Sequence, residues 1–143
     1  MHISTKCSVA IHCLLFINEY GEKTKVTSDL LSRSTGINAV TIRTIMSALK
    51  REGIILVKYG TGGATLNCPP GEISLFRVCE AIDPEFMSKL IGVHPAPSSL
   101  CPIGQNIYTV LDQSYEKIRS DLKKSLEEIT LEQIVSDYHR CNG

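Results

Sequence analysis

The sequence lacks any apolar run long enough to span a bilayer. The longest, residues 8–17, is interrupted by Ser8, His12 and Cys13 and falls far short of the roughly 20 residues a spanning helix needs. Nor does it carry the succession of basic flank, apolar block and small-residue cleavage site that directs export, which predicts a cytoplasmic protein. There is no CxxC pair and no zinc-ribbon spacing among the six cysteines (Cys7, Cys13, Cys68, Cys79, Cys101, Cys141), so a structural zinc is not expected. Without an export signal, most of these thiols are expected reduced, with Cys7, Cys13 and Cys79 packed on apolar helix faces and Cys68 and Cys141 more exposed. His2, His12 and His139 have no ligand-like spacing, and no metal is assigned to them. The motifs of the common enzyme classes are missing as well: no phosphate loop, no G-x-S-x-G, no H-E-x-x-H, no carboxylate cluster at metal spacing. The residues therefore predict no catalytic site.

Net charge is also lacking, but the balance hides an asymmetry. Residues 1–71 hold eight Lys/Arg against four Asp/Glu, and residues 72–143 hold seven against eleven, giving +4 and −4. One half is suited to a polyanion and the other is not.

What is present is a chain of 143 residues, 43% hydrophobic, enough for one domain with an ordinary core. Apolar positions from Ile3 to Ile17 predict a first helix over 3–20, stopped by Gly21. Thr27 or Ser28 can cap a short second helix that Gly36 ends. Asn38 can cap a third, with Ile42, Ile45, Met46 and Leu49 as its buried stripe and Gly53 as its stop. The polar face of that helix carries Thr41, Arg43, Thr44, Ser47, Lys50 and Arg51. The period then changes: "IILVKYG" and "ATLN" are β-prone runs flanking "GTGG", a hairpin tip where positive φ is cheap.

This order is that of a winged helix-turn-helix. A helix about 10 to 12 Å wide fits the DNA major groove, and a basic hairpin beside it reaches the backbone. Arg33, Lys50, Arg51 and Lys58 are the candidate phosphate contacts. Asn38, Thr41, Arg43, Thr44, Ser47 and Tyr59 complete the candidate DNA-binding set, with Arg43, Thr41 and Thr44 early enough on the helix to reach base edges.

Ser74 can cap a fourth helix burying Leu75, Val78, Cys79 and Ile82. Residues 83–101 are expected as a proline-punctuated connecting loop, which separates a DNA-binding domain over 1–82 from a unit over 102–143. There, Ile107, Val110, Leu111, Tyr115, Ile118, Leu122, Leu126 and Ile129 mark one stripe on a helix roughly 40 Å long at about 1.5 Å per residue. Such a stripe outruns the domain and predicts a homodimer, with two reading helices at the roughly 34 Å spacing of a palindromic operator. Thr130 to Gln133 reads as a capping box opening a last short helix. The fold class is thus mostly α (α+β): a winged helix-turn-helix with a long dimerisation helix.

Taken together, "STKCSVAIHCLLFI", "LSRSTGINAVTIRTIMSALKREGIILVKYGTGGATL" and "EISLFRVCEAI" before a long helix resemble the Rrf-two family of bacterial winged-helix transcription regulators over nearly the whole chain. The resemblance implies a homodimer, joined through the long helix, that binds an operator and represses or activates transcription. The family it resembles is also known for iron–sulfur clusters held by three cysteines in one loop. Here residues 81–107 contain only Cys101, with His94 seven residues before it, so no cluster and no other cofactor is expected. The chain resembles instead a subgroup with a single cysteine opening the long helix. Arg43 stands where the cluster-binding member is acidic, and Tyr59 and Thr61 where arginine and proline are frequent, so the family's operator preference does not carry over.

Cys101 precedes Pro102, which suits the first helical position and makes Cys101 the N-cap. Cysteine caps poorly, but the positive helix end favours a thiolate. Cys101, with His94 as a possible aid, is therefore the candidate sensor for a small electrophile or oxidant; a structural thiol is the competing reading. A winged helix serving only protein contacts, or a cysteine-dependent enzyme, are the alternatives. Salt-dependent binding to random duplex distinguishes the first of these.

Overall fold

Helix α1 (Thr5–Tyr20) carries apolar side chains on most of its circumference, and in the computed structural model, which describes residues 3–58, 60 and 63–142, it is the central rod. Ser4 Oγ accepts from Lys6 N at 3.2 Å to start it. Cys7, Ala10, Cys13, Leu14 and Ile17 are buried, because α2, α3, α4, α7 and the hairpin all pack around this helix. A helix apolar on many faces needs partners on many faces.

Helix α2 (Ser28–Thr35) starts at Thr27, whose Oγ1 accepts from Leu30 N, and ends at Gly36 with φ 75°. Helix α3 (Ala39–Arg51) starts at Asn38, whose Oδ1 accepts from Thr41 N at 2.9 Å. Its inner face, Ile42, Ile45, Met46, Ala48 and Leu49, is buried as its period predicts. At its end Gly53, φ 72°, donates to Lys50 O and Ile54 N donates to Leu49 O, a paired closure that a left-handed residue makes possible. The chain then enters β1 (Ile55–Lys58), which pairs antiparallel with β2 (Gly63–Leu66), Lys58 opposite Gly63. Gly63 has φ 67°, and a Cβ there would lie 2.6 Å from Val26 N. That close approach lets Ala64 N donate to Val26 O, docking the wing on the α1–α2 linker. Tyr59, Thr61 and Gly62 lie outside the described residues.

Ser74 caps α4 (Leu75–Ile82), accepting from Arg77 N at 3.1 Å. The connection over 83–101, expected without regular structure, contains a one-turn helix α5 (Phe86–Lys89) that buries Phe86, with Leu90 buried just after it. Four residues are too few for a periodic signal, and burial of those two side chains is what fixes the turn. Helix α6 (Pro102–Glu128) runs 27 residues, about 40 Å. Its C-terminal half lies on α4: Leu126 packs on Cys7, Cys79 and Phe86, and Lys123 Nζ sits 5.2 Å from the Phe76 ring.

Ile129, placed by periodicity on the long stripe, instead caps α6 in an extended conformation. The backbone reverses there. Leu75 N donates to Ile129 O and Leu131 N to Ile73 O, both at 2.8 Å. This bridge turns α7 (Leu131–Asn142) back onto α1, so the helix that sequence order groups with residues 102–128 puts Leu131 into the main core beside Ala10 and Ile73. Thr130 Oγ1 accepts from Gln133 N at 3.4 Å, as the capping pattern predicts.

Leu131 is 2% exposed. Leu131→Ala should therefore lower stability by about 2–5 kcal/mol in urea unfolding, the range for emptying a buried leucine site; a loss under about 1 kcal/mol would mean α7 is only loosely attached.

Candidate nucleic-acid interface

The inward stripe of α3 leaves its opposite face to solvent, and the cap and closure at its two ends hold that face in one orientation. Arg43, Thr44, Ser47, Lys50 and Arg51 are all exposed on it. Arg43, Ser47, Lys50 and Arg51 line one groove of about 540 Å³, together with Ser28 at the start of α2 and Val57 of β1. The groove thus runs between both helices of the helix-turn-helix and the wing.

Other candidates stand differently. Thr41 is half-buried, and Asn38 spends its side-chain carbonyl on the cap. Thr44 Oγ1 donates back to Val40 O at 3.2 Å. Arg51 forms a loose pair with Glu52 at 3.7 Å, both well exposed, which contributes little. Arg33 is exposed in the last turn of α2, away from the groove lining, and Lys58 is exposed at the end of β1. Tyr59 lies outside the described residues. Two positions were missed in the sequence. Val40, 67% exposed in the first turn of α3, is an apolar side chain held to solvent. It lies off the Ile42–Leu49 stripe, which was the available signal. Ser28 has no such signal, since only the packing of α2 on α3 brings it to the groove.

At the other end of the molecule, Cys101 is fully exposed at the start of α6. Its thiol makes no capping hydrogen bond of ordinary geometry, but the backbone N–H groups of Gly104 and Ile103 face it and hold its pKa below the usual thiol value. Gly104 matters to this turn: a Cβ would lie 2.5 Å from Ser98 O, so only glycine lets the 98–101 segment fold over the helix start. The Tyr108 hydroxyl donates to His94 O at 3.0 Å, which fixes the loop backbone; among the described residues no hydrogen bond joins the His94 ring to Cys101. Two of the inner cysteines shift the opposite way, while Cys7 is lowered by its side-chain hydrogen bond with Cys79. Burial pushes the Cys13 thiol up to about 11, and Cys79, hydrogen-bonded to Cys7 and buried with it, is raised as well.

The stripe on α6 divides. Leu122 and Leu126 are half-buried on the C-terminal half, and Ile107, Leu111 and Tyr115 are half-buried too, while Val110 is 64% and Ile118 43% exposed. No residue of α6 is fully buried within one chain.

The model of the Rrf2 family, described as an iron-dependent transcriptional regulator, matches residues 3–137. The chain belongs to the Rrf2 family. It is 31% identical over 134 residues, 94% of this chain and 97% of the relative, to a Bacillus subtilis (strain 168) protein named as the HTH-type transcriptional regulator YwnA. Among solved structures it is similar to T. potens IscR, with TM-score 0.73 and 14% identity over all of this chain and 92% of the other. It is likewise similar to CymR, the global cysteine regulator of B. subtilis, with TM-score 0.72 and 16% identity over 95% of this chain and 97% of that one. At those identities the two structures show the fold. This Rrf2 chain is a transcription regulator with a DNA-binding winged-helix fold, not an enzyme.

The iron in the family description finds no matching donor set here. Among the described residues no three His, Cys, Asp or Glu side chains converge as metal ligands, and Cys101 is the lone thiol of its loop. One thiol in that loop cannot by itself ligate a two- or four-iron cluster. No helix among the described residues is long and apolar enough to cross a membrane.

A lowered pKa leaves more of Cys101 in the thiolate form at any given pH than an ordinary thiol would have. Iodoacetamide labelling of Cys101, followed by mass spectrometry across pH, should therefore show a lower midpoint in the folded protein than in the urea-unfolded chain. Coincident midpoints would mean the helix start does not act on the thiol.

Proposed function

We propose that this Rrf2 regulator is a cytoplasmic homodimeric repressor that reads a palindromic operator with α3 and is switched by thiol chemistry at Cys101. The observation that carries the reading is the groove beside the cationic face of α3, in a chain whose long helix leaves apolar side chains uncovered. Arg43 is assigned to a guanine edge, the commonest specific pairing, and Val40 to a thymine methyl. Arg33, Lys50, Arg51 and Lys58 are assigned to phosphates, with Asn38, Ser47 and Tyr59 as neutral backbone contacts.

Two copies meet through Ile107, Val110, Leu111, Tyr115, Ile118 and Leu122, which sets the two reading helices about one DNA turn, roughly 34 Å, apart. Cys101 opens the same helix that joins the copies. Its thiolate attacks the O–O bond of a peroxide, forming a sulfenic acid and releasing hydroxide that takes up a proton; an electrophile would instead leave a thioether. Either change alters the start of α6 and hence the relative setting of the two winged helices. The coupling required is small, since about 1.4 kcal/mol is tenfold in affinity and allosteric couplings run to about 1–3 kcal/mol. No cofactor takes part in this reading.

The test is a mobility-shift titration on duplex from upstream of the protein's own gene, beside random duplex. Arg43→Ala should cost about 1–3 kcal/mol on the operator and much less on random DNA, whereas Lys50→Ala should weaken both alike and reduce the salt slope by about 1. Val110→Glu should sediment as a monomer. Peroxide should shift operator affinity about tenfold in the native protein and leave Cys101→Ser unmoved. Equal losses on both DNAs for Arg43→Ala would overturn the base-reading assignment, and native binding indifferent to peroxide would overturn the switch.

A further inference from the structure

Sharing no lining residue with the DNA groove, a half-open cavity of about 220 Å³ lies between α1, the end of α2 and α7. Nothing in the DNA-binding reading uses it. His12, Phe16 and Glu19 follow one another at i, i+4 and i+7 on α1, so its floor runs about 10 Å along that helix. One end is the Glu19 carboxylate, whose side chain is only 20% exposed and whose Oε1 is 2.6 Å from His139 Nε2 at the more open rim. The walls there are aromatic: the Phe16 and Tyr20 rings stand 4.8 Å apart, and Tyr138 lines the cavity from α7. At the other end His12 Nε2 lies 2.9 Å from Ser34 Oγ, a polar pair contributed by α1 and α2.

We infer that this cavity is a binding site for a small organic ammonium with an apolar body. A carboxylate set among three aromatic rings favours a cation whose charge is spread over carbon, through the ring faces as well as through the carboxylate. The volume suits a ligand of about ten heavy atoms or fewer, below the drug-sized range. The His12–Ser34 end accepts a polar substituent such as a hydroxyl. Glu19 and Tyr20 of α1 lie more than a hundred residues from Tyr138 of α7, and only the return of α7 onto α1 assembles them. Ser34 belongs to the helix that leads through Gly36 into the cap of α3, so an occupied cavity would tie α1, α2 and α7 together behind the reading helix. That regulatory consequence rests on the DNA-binding reading above; the site itself does not.

Calorimetric titration of the full chain without DNA therefore tests the site separately. Choline is the probe, and 3,3-dimethylbutan-1-ol, its uncharged isostere, is the control. Choline should bind with Kd below about 1 mM, and the alcohol at least about tenfold more weakly. Glu19→Gln should reduce choline to the level of the alcohol. Tyr20→Leu, at a position 41% exposed and so tolerant of change, should weaken choline at least about fivefold and keeps the test decisive should Glu19→Gln loosen α7. No heat from choline up to about 10 mM, equal affinity for the alcohol, or choline binding untouched by both substitutions would overturn the inference.

Discussion

Everything in this molecule is hung on the burial of α1. Ala10, Cys13 and Leu14 are wholly inaccessible and Ile17 nearly so, because helices from three separate parts of the chain and the wing close around them. Apolar burial of this kind, about 25 cal/mol per Å² removed from water, is not directional. Direction comes from the ends of the elements: the caps at Thr27, Asn38 and Ser74, and the left-handed glycines at 36, 53 and 63. Together they turn a general attraction into one orientation for α3, with its cationic face outward.

The long helix serves two masters. Its C-terminal half is tied to α4 through Leu126 and through Lys123 over Phe76, and to the connection after α5 through Arg119, whose Nη2 donates to Ile91 O at 3.0 Å. Its N-terminal half offers Val110 and Ile103 to solvent and begins at Cys101. The proposed switch would act on this less covered part of the helix. Cys13 on α1 is placed the opposite way, buried among apolar side chains where the thiolate is disfavoured.

Much of the candidate interface was legible beforehand. The period of Ile42, Ile45, Met46 and Leu49 already put Arg43, Ser47, Lys50 and Arg51 on the far face, and the structure gathers those four in one groove. Asn38 through its side-chain oxygen and Thr44 through its hydroxyl hydrogen also bond the helix backbone, a local competition that residue type alone does not resolve. Val40 was overlooked because an apolar residue beside an apolar stripe is assigned to the core by default. Its angular offset, which faces it to water, was there to be read.

The sequence by itself determined the local elements: the helices, their caps and stops, the glycine-tipped hairpin, and the lone cysteine before Pro102. These depend on neighbours within a few residues, and hydrophobic period and capping chemistry report them directly. Tertiary structure alone decided the rest. It formed α5 to bury Phe86 and Leu90, ended α6 at Ile129 through a bridge to Ile73 and Leu75, and carried α7 back to α1. It also brought Ser28 to the groove and Tyr138 to Glu19. Those placements depend on contacts between distant residues, which only the shared burial around α1 brings together.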